Sequence, residues 1–424
     1  MPIVISFLKH ERESWAQQID AIRTRLGAPN NPLLFPSHYL KSTFLNIGGE
    51  VVLIENQSGL VGVGFLFPRG VDNLKKEFTM RFHECGAHER GRDPSWRESL
   101  IQSVQNAFPS TRITFYSPKD QQTYLRSNIN AIQLTTGENI HIHTPTSSYA
   151  FIVRDLQRRF WDSTEDELYP TDIHSVKFRL ATSLVASCEE KVVGFLFGFY
   201  KFGGPALPAL WEQRTNGGLR VESQLLGVLS EYRNHGIAFY LKKTQAEIAL
   251  LNNIDIINWT VDPLQFNNAV LNFGKLKATA FNFYRGYYDF NNVLNRVPAS
   301  RFGITWLPNT ERVKKALRET SSSILQIPEM GNKAIQKVNI GTDQLRFNAR
   351  SSKIAIELPE NWTRLQAEDR NLAIKWRDTT DRLFEHYLGP ADGKYIITGV
   401  GKDAAKNYLV ADMVNRELID HLSL

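Results

Sequence analysis

Residues 221–238 read Val221-Glu222-Ser223-Gln224-Leu225-Leu226-Gly227-Val228-Leu229-Ser230-Glu231-Tyr232-Arg233-Asn234-His235-Gly236-Ile237-Ala238. The segment up to Val228 reads as a strand, a tight turn passes through Arg233–Gly236, and an amphipathic helix begins at Ile237. The first-turn N–H groups of a helix have no internal partners and sit at the positive end of its dipole. Gly236 in the turn lets the backbone approach an anion closely. The stretch therefore has the makings of a diphosphate cradle. Taken alone, Arg-x-x-Gly-x-Ala after a strand is also the form of an ordinary strand-to-helix turn.

Working outward, the helix is predicted over Ile237–Leu251 and the next strand over Ile254–Thr260. Upstream lies a hairpin: Leu184-Val185-Ala186, a turn at Ser187-Cys188-Glu189-Glu190, then Lys191 to Phe197. A second hairpin, Glu50–Ile54 and Leu60–Phe67 about the turn Asn56-Gln57-Ser58-Gly59, carries the same strand text: Leu60-Val61-Gly62-Val63-Gly64-Phe65 against Val192-Val193-Gly194-Phe195-Leu196-Phe197. The later elements match in order. Strand Phe78–Phe82, a helix near Trp96–Phe108 and strand Arg112–Tyr116 parallel strand Arg220–Val228, helix Ile237–Leu251 and strand Ile254–Thr260. This is read as a distant internal duplication. A first strand near Ile3–Leu8 and a helix through Trp15, Ile19, Ile22 and Leu26 precede the first hairpin. The third region has helix Thr310–Glu319, strand Lys353–Leu358, a helix over about Ala367–His386, and strands Tyr395–Val400 and Asn407–Ala411. Alternating strands and helices give a mixed α/β class.

The composition sets outer limits. The chain has 424 residues, 42% hydrophobic and 22% charged, which is globular and not disordered. Fifty Lys+Arg against forty-four Asp+Glu leave +6, an excess that suits an anionic ligand without demanding nucleic acid. Two cysteines, Cys85 and Cys188, exclude a disulfide scaffold or a Cys-rich metal centre. No run approaches the ~18 apolar residues needed to span a bilayer. No basic n-region or long apolar h-region opens the chain. A cytoplasmic protein is the expectation.

Leu225-Leu226-Gly227-Val228 followed by Arg233-x-x-Gly236-x-Ala238 resembles the acyl-coenzyme A motif of the GNAT N-acetyltransferase superfamily, Gln/Arg-x-x-Gly-x-Gly/Ala. The resemblance extends over about residues 140–415. It continues through Asn258-Trp259-Thr260-Val261-Asp262-Pro263-Leu264-Gln265, Asn268-Ala269-Val270-Leu271-Asn272, Lys275-Leu276, Tyr287-Tyr288, Ser300-Arg301-Phe302 and Trp306. In the tail it takes in Ile356-Glu357-Leu358-Pro359, Ala373-Ile374-Lys375-Trp376-Arg377 and Arg382. These are similar to an uncharacterised branch of predicted GNAT acetyltransferases. The resemblance implies a tandem GNAT-like fold with a central, mostly antiparallel sheet flanked by helices. Residues 1–135 would be a degenerate copy, and 136–424 the acyltransferase domain, completed by an extension over 307–424. It further implies that the co-substrate is acetyl-CoA or another acyl-CoA, that no metal is needed, and that the acceptor is a small-molecule or peptide amine.

Carried residue by residue, the resemblance implies that main-chain groups of Leu226 and Val228 run along the pantetheine. Amides of Arg233, Asn234, His235, Gly236, Ile237 and Ala238 would hold the diphosphate, and Asn268 would add a pantetheine contact. Splayed strands near Val228 and Trp259 would open a slot for the thioester. Glu222, five residues before Gly227, stands where some members keep a glutamate base. A solvated strand-edge carboxylate is the plainer reading. Gln224 is expected on the same strand face. The N–H of Val228 is a candidate donor to the thioester oxygen.

One departure stands out. Many members place a Tyr acid in the helix after the fifth strand, where this chain has Phe273; Tyr284, Tyr287, Tyr288 or water would have to substitute. Phe273 therefore leaves open a thioester decarboxylase or a non-catalytic CoA-binding module. Fatty-acyl transfer to a peptide or carrier protein is a further alternative, hinted at by the aromatic run Phe281, Phe283, Tyr284, Tyr287, Tyr288 and Phe290. In the first copy, His83–Pro94 lacks the Arg-x-x-Gly-x-Ala pattern. Glu84, Glu89 and Asp93 would repel a diphosphate, and Pro94 removes a donor. His141-Ile142-His143 reads as plain strand more readily than as a metal site.

Overall fold

The computed structural model describes residues 4–57, 59–73, 75–85, 95–118, 123–124, 126–134, 136–214, 218–288, 296–319, 323–327, 335–404 and 406–423. These divide into two compact units: Met1–Gly204 with Asn216–Ile254, and Pro205–Thr215 with Asp255–Leu424. The expected domain boundary between residues 135 and 136 lies inside the first unit, and that between 306 and 307 inside the second.

In the first unit one sheet runs β1-β2-β3-β4-β5, from β1 (Val4–Phe7), β2 (Glu50–Asn56), β3 (Gly59–Asp72), β4 (Lys75–Glu84) and β5 (Thr111–Tyr116). All its neighbours are antiparallel except β4 and β5, which are parallel and joined by helix Ser95–Ala107, since a parallel pair needs a crossover. A second set runs β10-β9-β8-β7-β6: β6 (Asn128–Gln133), β7 (Asn139–His143), β8 (Thr182–Cys188), β9 (Lys191–Phe202) and β10 (Leu219–Val228), antiparallel throughout. Helix Ser147–Trp161 follows β7 and helix Ile237–Leu251 follows β10. The succession strand, helix, three antiparallel strands, helix thus occurs twice.

The two sets share one hydrophobic core. Trp15, Ile19, Tyr39, Phe44 and Phe65 from the first belong to the same buried cluster as Val153, Leu156, Phe195, Phe197 and Leu241 from the second. An aromatic seam joins them, with Phe67 against Phe178 at 5.1 Å and Tyr39 against Phe199 at 5.1 Å. Arg81 and Asp172, both fully buried, form an ion pair across the same seam.

The second unit holds β11 (Ile257–Val261), β12 (Thr279–Tyr288), β13 (Ala299–Trp306), β14 (Leu325–Gln326), β15 (Ile335–Lys337), β16 (Asn339–Ile340), β17 (Gln344–Leu345), β18 (Lys353–Leu358), β19 (Tyr395–Asp403) and β20 (Lys406–Met413). Its sheet runs β15-β18-β20-β19-β12-β13-β11, β14 pairs β19, and β16 and β17 form a small ribbon. The helix expected over about Ala367–His386 is two helices, Trp362–Glu368 and Arg370–Tyr387. The break is at Asp369, whose carboxylate caps the second by accepting from the Leu372 amide. Phe384 on that second helix packs against Phe283 and Phe302.

Candidate functional site

The predicted turn and helix are in place. Helix Ile237–Leu251 starts after Gly236, which is left-handed at φ 83°, and Asn234 is left-handed too at φ 68°. Two left-handed residues in four make a tight reversal that L side chains resist, and Asn and Gly are the residues that tolerate it. The amides of Ile237 and Ala238 fall in the helix's first turn, which holds no acidic side chain. Arg233 and Asn234 are exposed, and His235 and Gly236 half-buried. The Arg233 Nε donates to the Val228 carbonyl at 3.2 Å, folding the turn back on the end of β10. Next to it the Leu229 amide donates to Val193 on β9 at 2.9 Å. Amides alternate in direction along a strand, so the Val228 N–H is directed to the edge away from β9.

The preceding strand is bulged. Register on β9 runs Glu222 to Phe199 and Ser223 to Gly198, then skips to Leu225 on Phe197, leaving Gln224 as the extra residue. Gln224 donates to the Tyr169 hydroxyl at 2.8 Å. Ser223 is held by the Lys242 ammonium at 2.7 Å, from the helix that begins at the turn. Lys242 is buried, and desolvation pushes its pKa down to about 7, with the Glu222 carboxylate opposing that shift.

Glu222 is not a solvated strand-edge carboxylate. Its side chain is 12% exposed and paired with the Lys201 ammonium at 2.7 Å, itself 5% exposed. This pairing joins residues 21 apart in sequence and was not visible in the spacing. Gly227, by contrast, has a packing reason: a Cβ there would lie 2.5 Å from the Phe160 ring.

The remaining predicted residues lie in the second unit. Trp259 is on β11, Asn268 in the short helix Phe266–Ala269, and Phe273 is 1% exposed in the helical turn that follows. The sequence also missed a fastening just after β11. Asp262 accepts two bonds from Arg377 Nη2, at 2.9 and 3.0 Å, one from Trp362 Nε1 at 3.0 Å and one from the Leu264 amide at 3.0 Å. Asp262 and Arg377 both belong to the resembling segments, which was the only signal.

Other candidates resolve as structure. Phe281 is core, and Phe283 packs on Phe302. Arg285 is ion-paired to Asp378 at 2.7 Å and Glu385 at 3.2 Å. Tyr284 and Tyr287 stack at 5.6 Å. The Tyr288 side chain, Phe290, and the stretch Gly86–Pro94 on which the first copy was judged lie outside the described residues. His143 is buried between Ser187 Oγ and the Thr144 carbonyl, while His141 is exposed. Among the described residues no group of three or more His, Cys, Asp or Glu is placed to hold a metal, and no helix is long and apolar enough to cross a membrane.

No protein-family model matches the sequence, and no curated protein matches it. Solved structures similar to part of the chain are N-acetyltransferases. Arabidopsis thaliana Naa50 with the bisubstrate analogue CoA-Ac-MVNAL is 15% identical over 39% of this chain and 97% of its own, at a TM-score of 0.30. Arabidopsis thaliana NAA60 with a bisubstrate analogue is 14% identical over 40% and 97%, at 0.33. Diaminobutyrate acetyltransferase EctA from Paenibacillus lautus, with its substrate and coenzyme A, is 16% identical over 41% and 99%, at 0.31. Over about two-fifths of its length, then, this chain is similar to GNAT-type acetyltransferases.

Proposed function

We propose that the protein is an acyl-CoA-dependent N-acyltransferase that passes the acyl group directly to an amine. The observation that carries this is the turn Arg233–Gly236. It is built on two left-handed residues, opens helix Ile237–Leu251 at a first turn free of acidic side chains, and follows a bulged strand. In this reading the amides of Arg233–Ala238 bind the diphosphate. Leu226 and Val228 flank the pantetheine, Asn268 adds a contact, and the Val228 N–H receives the thioester oxygen. The amine nitrogen bonds to the thioester carbon, the C–S bond breaks, CoA leaves as thiolate, and the amine's proton passes to Glu222. Acceptors of small-molecule or peptide type, and a cytoplasmic setting, belong to the same reading.

The matching succession of elements supports a tandem GNAT-like arrangement. Within it the first copy is the inactive one. Its β4 is paired on both edges, to β3 and, over Lys76–Arg81, to β5, so no slot opens beside it there. Buried Phe273 supports a second reading, in which the fold binds acyl-CoA for decarboxylation or sensing.

Calorimetry with acetyl-CoA tests the first reading. The native chain should bind, and Arg233→Glu with Gly236→Asp should abolish binding while the fold persists. No binding by the native chain sinks the proposal, and unchanged binding by the variant removes this site. Mass spectrometry of the products separates the readings: an acylated amine, a shortened thioester, or neither.

A further inference from the structure

On one face of β10 the structure gathers an unusual group. The Glu222 carboxylate carries the Lys201 ammonium at 2.7 Å. Phe199, the cross-strand neighbour of Glu222, stacks on Tyr39 at 5.1 Å, and Tyr39 meets Tyr169 edge-on at 5.3 Å. Tyr39 comes from the first half of the chain. It is fully buried, and its hydroxyl has no hydrogen-bond partner among the described residues. A buried hydroxyl left unmatched costs stability, and such groups in native proteins call for a reason. Burial, with the fields of Tyr169 and Glu222, holds the Tyr39 phenol well above its ordinary pKa, so it keeps its proton and can only donate or accept as a neutral group.

Lys201 shows what this face recognises. Its side chain is a primary amine on a four-carbon stem, seated on the candidate base. The end of β9 is where it has room to leave: Gly203 and Gly204, both left-handed, follow it. Tyr39 is held from the other side, since the segment after it is tied to β9 by the Phe202 amide donating to Ile47 at 2.9 Å. The phenol therefore stays put when the ammonium moves.

We propose that the acceptor is a primary alkylammonium that takes the seat Lys201 holds on Glu222 at rest, and that Tyr39, supplied by the first half, is a positioning residue of that seat. The inference rests on the acyl-transfer reading above. When Lys201 withdraws, Glu222 needs another donor to stay oriented, and the partnerless Tyr39 hydroxyl beside it supplies one.

The test uses the full chain, Tyr39→Phe, acetyl-CoA and n-butylamine, which reproduces the lysine stem. The phenylalanine keeps every ring contact, so its melting temperature should equal or exceed the native value, and its affinity for acetyl-CoA should be unchanged. Turnover of n-butylamine, followed as thiol release, should fall about ten-fold or more, the worth of one hydrogen bond to a charged group. A melting temperature several degrees lower would show a merely structural hydroxyl and overturn the proposal, as would unchanged turnover. A native chain that binds acetyl-CoA but does not acylate n-butylamine overturns the acceptor class alone. Absence of acetyl-CoA binding by the native chain sinks the acyl-transfer reading itself, and this inference with it.

Discussion

Lys242 gives the sharpest test of the site's electrostatics that needs no substrate. Its ammonium is buried against Ser223 Oγ at 2.7 Å and Gln245 Oε1 at 3.3 Å, and its pKa falls from 10.5 to about 7 on desolvation. In the unfolded chain the same amine holds its proton to about 10.5. Between pH 7 and 10.5 the unfolded state therefore binds more protons, and stability must rise with pH through that window. Below pH 7 the folded state carries the full cost of the buried ammonium, and above 10.5 it carries none. At ~1.4 kcal/mol per pH unit the ceiling on the rise is about 5 kcal/mol. Lys242→Met keeps the stem and removes the titration. Urea unfolding of both proteins at intervals from pH 6 to 10 gives the difference curve, in which the other titrating groups cancel. The variant should gain most, relative to native, at pH 6, and lose about 2–5 kcal/mol of that advantage by pH 10. A difference flat to within about 0.5 kcal/mol across the range would refute the reasoning, because a charged, solvated Lys242 would then be the truth in the folded state.

Three further substitutions follow from the geometry. Glu222→Gln strands the buried Lys201 ammonium; it should cost about 3 kcal/mol in urea melts, lower turnover, and leave acetyl-CoA affinity nearly intact. Arg377→Met leaves Asp262 buried without its cation, which should cost about 3–5 kcal/mol, while Asp262→Asn with Arg377→Met recovers part of it; additive losses in that pair would count against the coupling. Gly227→Ala drives a methyl into Phe160 and should cost about 1–3 kcal/mol by thermal melting, relieved when Phe160 becomes Leu.

How much of this was legible in the sequence follows the range of the interactions. The turn and its helix are local, since Gly236, the polar residues before it and the apolar spacing after it all act within one turn of chain, and helix Ile237–Leu251 was read to the residue. The break at Asp369 was missed because the apolar period of 367–386 continues across it, and only the capping carboxylate interrupts the backbone. The clamp of Lys201 on Glu222 depends on the register of β9 against β10 and on a bulge at Gln224, neither of which a single strand's text encodes. Tyr39 reaches Tyr169 through a packing that joins residues 130 positions apart, and no periodicity points across that distance. Gly227 shows the opposite error: it read as part of a ligand motif, and the Phe160 ring alone accounts for it.

The shared core decides what the first half is for. If it were an independent copy beside an active one, the second half would present a finished surface where they meet. Instead Phe178, Tyr169 and Phe199 are each 2% exposed only because Phe35, Tyr39 and Phe67 cover them. Burying side chains of this size is worth about 1.5–3 kcal/mol apiece. Uncovering the three therefore forfeits roughly 5–9 kcal/mol, about the whole stability of a typical domain. Asp172 would also lose the guanidinium of Arg81, a further cost of about 3–5 kcal/mol if it stayed buried. A chain beginning at residue 136 should thus fail to melt cooperatively and should bind an exposed-apolar dye at neutral pH. A soluble 136–424 fragment with a sharp thermal transition would show that the halves are separable, and that a wall made by Tyr39 is dispensable to the fold it leans on.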